Sequence, residues 1–393
     1  MRVAAGSPAA ADPCSDIHDA DRRLTAEVGA TRALPGLADT MSDTTDKPQS
    51  ATEGQPGLRS LVIAYETPSI LKSSYQIATS IGLFLAACAA MYWSLHISYL
   101  LTAALTVPTG GLLVRVFIIQ HDCGHGAFFR TRRLNDLVGQ FCSLLTFTPY
   151  AHWRRQHNCH HRNWNNLDRR EPGLDLYSTC ATVAEYQALS RWDRFTFRMM
   201  RHPIMAHVII PPLVFLFLYR VPFETPKDWT RERWSVYLTN LSVVALLTTL
   251  TLLFGFWQVL LVQIPVIAVT SIIGVGLFSL QHRFDGVVWA RQGEWNSVKA
   301  ALEGSSYFKL PRVLQWFTGN IGFHHIHHLS PRVPNYRLEA CHNSIPELHT
   351  VTALSWRDAF TMIRLMLWDE TNRQMVRFAD VRGERRRKSS GQP

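Results

Sequence analysis

Four apolar runs, at about 75–95, 97–119, 236–255 and 257–280, constrain this chain more than any other feature. Each can cross a hydrocarbon core of roughly 30 Å, which takes about 20 helical residues. They pair into two tight hairpins through the short connectors SLHIS (94–98) and GFWQ (255–258), neither of which carries Lys or Arg. Basic residues crowd the longer segments 120–203, 220–235 and 281–393 instead, so the positive-inside rule turns the hairpin tips outward and these segments toward the cytoplasm. Two further runs are ambiguous. The run 137–150 is short, and 204–219 carries Pro211-Pro212 near its centre, where proline breaks a helix. Both are expected at the interface or as half-crossings. The expected fold is all-α and integral to the membrane: about four transmembrane helices in two hairpins, interfacial helices, and a cytoplasmic helical cap.

Composition bounds the remainder. Residues 1–58 are rich in Ala, Asp, Thr, Ser, Pro and Gly, which cannot bury enough surface to offset ordering entropy, so a disordered tail is expected there. Met41 opens the polar run MSDTTDKPQS and offers an alternative start, and no segment before it has the apolar core of a signal peptide. A membrane domain is expected over 59–350, and a C-terminal helix with a basic tail over 351–393. The formal net charge of +10 gathers in RTRR (130–133), WRR (153–155) and LDRR (167–170), beside apolar blocks, which fits cationic loops at a membrane surface better than a nucleic-acid binder. The seven cysteines show no CxxC spacing, which argues against a thiolate zinc site.

The segments assigned to the cytoplasmic face hold three histidine clusters. HDCGH sets His121 and His125 at i,i+4; HNCHH sets His157, His160 and His161 at i,i+3,i+4; HHIHH repeats that spacing with His324, His327 and His328. On a helix such positions share one face, so each cluster can aim its imidazoles at one point. His325 is rotated away. With 17 His in 393 residues, a given HxxHH arises by chance in roughly a few per cent of such chains, so two copies beside an HxxxH are a poor fit to chance. His282, in SLQHRFD, leaves its span at the level where His121 leaves its own, and joins the candidates as a ninth ligand. The scattered His18, His96, His202, His207, His342 and His349 read as ordinary surface or core histidines. Eight or nine imidazoles exceed the four ligands that close one zinc site, so two metals are implied. A thiolate-free nitrogen set suits iron, copper or zinc. Its place beneath apolar helices favours redox work on an apolar substrate.

HDCGHGAFFRTRRLNDLVG (121–139), WRRQHNCHH (153–161) and EGSSYFKLPRVLQWFTGNIGFHHIHHLSPRVPNY (303–336) resemble the integral-membrane fatty acid desaturases, in particular their bacterial and cyanobacterial acyl-lipid branch, over about residues 60–345. The resemblance implies a di-iron centre held by His121, His125, His157, His160, His161, His282, His324, His327 and His328, with no catalytic side chain beyond these ligands. Asp122, His152, Asn320 and His325 are candidates for supporting positions behind them, and Trp153, Trp316 and Phe317 for the wall of a substrate tunnel. It further implies an oxidoreductase that uses O2 to insert a cis double bond into a membrane-lipid acyl chain, in a bacterial inner membrane with the site on the cytoplasmic face. The segment HRNWNNLDRREPGLDLY (161–177) lies where such a substrate would come in. No HPGG haem motif of a fused cytochrome b5 domain occurs, so electrons are expected from a separate donor, ferredoxin or a cytochrome b5-like protein. The alternatives are a related di-iron hydroxylase or ketolase acting on fatty acyl, alkane or carotenoid, and, more remotely, a zinc-handling membrane protein.

Overall fold

The computed structural model describes residues 57–170 and 179–381. The tail expected over 1–58 lies, except for its last two residues, outside the described residues, as does the basic tail from 382. Among the described residues, four helices are long and apolar enough to cross a membrane: α1 (Ile70–Ser94), α2 (Tyr99–Gly124), α7 (Thr230–Phe254) and α8 (Phe256–His282). They form the two expected hairpins, with helices a few residues longer than the apolar runs. The α1–α2 turn closes on Ser98, whose side chain caps the Leu100 amide at 3.2 Å. The α7–α8 turn uses Gly255 at φ 96°, a left-handed backbone that costs glycine no Cβ clash.

Between the hairpins, α3 (Arg132–Thr146) and α4 (Tyr150–Asn163) are joined by a turn in which Phe147 takes φ 57°. Next come α5 (Arg191–Met200), a π-helical turn at Met205–Ile209 and α6 (Ile210–Leu216), which starts at the proline pair. The axis bends by 53° between α5 and the segment Met205–Arg220. Arg220 turns back and donates to the Phe147 carbonyl. His160, before this segment, and His282, after α7 and α8, bring their Nε2 atoms to 3.1 Å. If α7 and α8 each cross once, the chain is on the same side at both histidines, so the bent segment makes no net crossing.

The second span of one hairpin is linked to the second span of the other partway along both helices. A Cβ on Gly110 of α2 would lie 2.7 Å from Val269 Cγ1 of α8, and Thr270 Oγ1 donates to the Gly110 carbonyl at 3.2 Å. From this contact His121 is 11 residues on and His282 is 12 residues on, about 16 and 18 Å along each axis at 1.5 Å per residue. The two helices therefore deliver their ligands to one level.

After α8 come α9 (His324–Leu329) and α10 (Asn335–Ser344). Pro331 and Pro334 follow the third cluster and α9 ends at Leu329, as the disfavoured helical state before proline requires. The helix expected after residue 350 is absent from the described residues, apart from a helical turn at Ala359–Met362 and four helical residues at 378–381. Leu367–Asp369 pairs antiparallel with Gln374–Val376 and parallel with Ala181–Thr182. The reason is local: Asp369 Oδ1 accepts from the amides of Thr371 and Asn372 at 3.0 and 3.1 Å, an Asx turn that competes with helix.

Candidate metal centre

All nine candidate histidines meet at the end of α2 and α8 nearest α4 and α9. Two groups form. His121, His125, His157, His161 and His327 each place a ring nitrogen within 4.8 Å of the others, and so do His160, His282 and His328. His324 joins the second group, its Nε2 3.0 Å from His282 Nε2. The expectation that each HxxHH box aims at one point is corrected here. Adjacent helical residues diverge by about 100°, so His161 faces the first group while His160 faces the second, and His327 separates in the same way from its neighbour His328, with His324 on the side of the second group.

The nitrogen spacings discriminate metal binding from ordinary packing. His161 Nε2 lies 3.2 Å from His157 Nε2 and 2.9 Å from His327 Nε2. His160 Nε2 lies 3.1 Å from His282 Nε2 and 3.4 Å from His328 Nε2. A ring nitrogen carries one proton or one in-plane lone pair, so it cannot satisfy two nitrogen neighbours by hydrogen bonding. Lone pairs converging on one cation can. Ligands bonded at about 2.1 Å stand about 3.0–3.4 Å apart at right or tetrahedral angles. His125 Nε2 is also buried without a hydrogen-bond partner among the described residues, a cost that a bound cation removes. No carboxylate belongs to either group.

Electrostatics keep five of these imidazoles neutral. Burial, and then repulsion among the rings themselves, holds His125, His157, His161, His327 and His328 well below the ordinary histidine range. In the unfolded chain they titrate near about 6.5. Below that value the unfolded chain binds more protons than the metal-free fold, so stability falls as pH falls. The metal-free protein is therefore expected to lose melting temperature on going from pH 7.5 to 5.5, roughly the histidine range, and to hold it between pH 7.5 and 8.5, well above that range. Thermal unfolding of chelator-treated protein across those values checks this.

Several supports hold the rings in place. Asp122 is buried; its Oδ1 lies 3.1 Å from His121 Nδ1 and its Oδ2 accepts from the Asn335 amide and side chain at 2.7 and 2.8 Å. Asn335 Oδ1 in turn accepts from Gln76 Nε2 at 3.0 Å. This carboxylate fixes His121 with Nε2 toward the group. Asn320 acts one step further back: it adopts φ 58°, tolerated by asparagine, and its Nδ2 donates to the Asn335 carbonyl at 3.2 Å. Asn335 and Trp164, whose ring packs 4.0 Å from that of His282, were not picked out from the sequence. The Asp122–Asn335 contact spans 213 positions and leaves no local pattern. Replacing Asp122 with Asn removes the charge and sets an amide against the Asn335 donors; metal affinity is expected to fall roughly 10- to 100-fold, read by metal titration of the purified variant.

Four expected positions do not join the site. His152 turns its Nε2 to the Phe223 carbonyl at 3.0 Å, tying α4 to the bent segment. His325 is fully buried on the far side of α9, with its ring 5.3 Å from that of His342, because it lies about a third of a turn from His324. Trp316 and Phe317 pack on α2 instead of lining a tunnel. Phe317 lies against Gly111, and Trp316 lies under the Arg115 guanidinium at 4.1 Å. Arg115, the one strongly basic residue within α2, also donates to the Trp316 carbonyl, so it clamps the helix rather than marking an ion path.

A cavity of about 260 Å³ runs past His121, His157, His160 and His324. Trp153 lines it and stacks on His157, with ring centroids 4.8 Å apart. Its apolar part is walled by Phe117, Phe215, Val275 and Phe278 and reaches Gly274 and Thr270. Thr270 lies 12 residues before His282, so the cavity extends about 18 Å into the bundle. Its other part is polar and includes Asn165, Arg169 and Arg170, in the segment where substrate is expected to come in.

Comparison with known proteins agrees with this geometry. The profile described as "Fatty acid desaturase" matches residues 81–356. The chain is 40% identical to a "Fatty acid desaturase" of Bacillus subtilis (strain 168), over 85% of this chain and 94% of that protein. It is 28% identical to the "sn-1 oleoyl-lipid 12-desaturase" of Anabaena variabilis, over 67% of this chain and 76% of that one. It is 27% identical to the "sn-1 acyl-lipid omega-3 desaturase (ferredoxin)" of Nostoc sp. (strain 36), over 58% and 63% respectively.

Proposed function

This chain belongs to the fatty acid desaturase family, and from that premise we propose that it desaturates acyl chains of membrane lipids, with two iron ions in the nine-histidine site and O2 as co-substrate. The observation that carries this reading is the apolar cavity passing both histidine groups. Iron and O2 supply the removal of hydrogen from two neighbouring unactivated methylenes, with an outside donor furnishing an electron pair. The rest falls to the protein. Phe117, Phe215, Val275 and Phe278 give the chain an apolar path and exclude water. Trp153 and Asp122 fix the rings of His157 and His121, so that the ligand set does not relax when the cavity is empty.

The finer parts of the proposal rest on charge and kinship. Arg162 and Arg169 are exposed beside the second histidine box, and an acidic donor such as ferredoxin suits that surface. A relative's name includes ferredoxin, which supports this donor over a cytochrome b5-like one. The basic segments around the histidines favour the cytoplasmic face of a bacterial inner membrane. Expression in a host that lacks the product tests the reading by gas chromatography of fatty acid methyl esters. A new cis-unsaturated acid that requires aeration is expected. An unchanged profile with a hydroxy or keto product would overturn it in favour of an oxygenase.

A further inference from the structure

A second recess, of about 770 Å³, lies away from the histidines, between α5, the turn after it and the C-terminal hairpin. Arg198, Arg201, Arg364 and Arg377 line it, and among the described residues no Asp or Glu does. Arg377 is held by Asp380 at 3.0 Å, and the Arg201 guanidinium lies 3.8 Å from the centre of the Phe197 ring. Arg198 and Arg364 form no ion pair among the described residues. The floor is apolar, with Met205 and Ile209 on it.

The level of the recess identifies its surroundings. Met205 and Ala206 pack with Val275 and Phe278 of α8, and His207 Nε2 lies 3.0 Å from Ser279 Oγ. Ser279 is three residues from the end of α8, about 5 Å along the axis. Trp192, Phe195 and Met199 of α5 are exposed at 69%, 44% and 47%, an i,i+3,i+7 stripe. Arg191, Arg194 and Arg198 run beside it with the same spacing. A helix with adjacent apolar and basic stripes lies in a bilayer interface. The recess thus opens where headgroups meet hydrocarbon, and its volume suits a lipid-sized ligand.

We infer that this groove binds an anionic glycerophospholipid, with the phosphate on Arg198 and Arg364 and an acyl chain along Met205 and Ile209. Guanidinium forks match phosphate oxygens in charge and geometry, and basic pockets beside membrane helices hold anionic headgroups. A soluble acidic protein fits less well, since Ile204 and Ile209, exposed at 57% and 43%, sit at the hydrocarbon edge. The groove shares no residue with the metal centre, so this inference stands apart from the proposed reaction.

Native mass spectrometry of the purified full chain, titrated with phosphatidylglycerol or with phosphatidylcholine of the same acyl chains, tests it. The wild type is expected to retain phosphatidylglycerol preferentially. The double variant Arg198→Gln with Arg364→Gln is expected to bind it roughly thirtyfold more weakly, while the corresponding double Lys variant keeps most of the binding. Metal content should be equal in all three, which separates a lost lipid site from a misfolded chain. Equal retention of both lipids by the wild type, or unchanged phosphatidylglycerol binding by the Gln variant, overturns the inference. So does loss of binding to an acidic electron donor with lipid retention intact.

Discussion

Replacing His161 with alanine is expected to abolish desaturation and to lower metal affinity by more than about a hundredfold. His161 Nε2 lies within 3.2 Å of the matching nitrogens of both His157 and His327, so it joins the second and third boxes in one group. Its ring also stacks on His328 of the other group, with centroids 4.2 Å apart. Its loss therefore opens one group and loosens a wall of the other. The measurement pairs fatty acid profiling of the expressing host with metal analysis of the purified variant, and circular dichroism reports whether the helices persist. A variant that kept its iron and its product would show that the first group is packing rather than ligation.

Gly274→Leu is expected to stop the reaction without touching the metals. Gly274 lines the apolar part of the cavity, and a Cβ built on it meets nothing within 4 Å, so a larger side chain enters the space assigned to substrate. Filling a hydrophobic pocket by even one methylene discriminates by about 10- to 200-fold, and leucine adds several carbons, so a drop of more than about a hundredfold is expected for long chains. Iron content should match the wild type. Desaturation that persists with unchanged chain-length preference would move the substrate path elsewhere. The two variants thus separate the two claims about the site: His161→Ala fails with its metal lost, and Gly274→Leu fails with its metal kept.

Membrane spans were legible in the sequence because hydrocarbon demands long apolar runs, and their ends were blurred because polar ligands such as His121 and His282 lie within the last turn of the helices themselves. The clustering of histidines was legible for the same reason that it works, since i,i+3 and i,i+4 positions share a helix face. What the spacing could not resolve is which ring serves which group, because that depends on where four separate segments meet. The supporting shell was less visible still. Asp122 could be suspected beside His121, yet its partner Asn335 arrives from a helix whose start is set by Pro334. Trp316 and Phe317 were misread as tunnel wall because an aromatic pair says nothing about the face it will occupy, and here Gly111 offers the gap that Phe317 fills. The C-terminal hairpin was missed because its strands are three residues each, too short to show alternation, and are decided by the Asp369 turn.

Metal stoichiometry of the purified chain tests the central claim most directly, since the account requires two irons held by imidazoles from four places in the sequence. Iron and zinc, counted together by plasma mass spectrometry on protein prepared without chelators, should give two irons per chain and no comparable zinc. A single metal per chain, or zinc in place of iron, would contradict it.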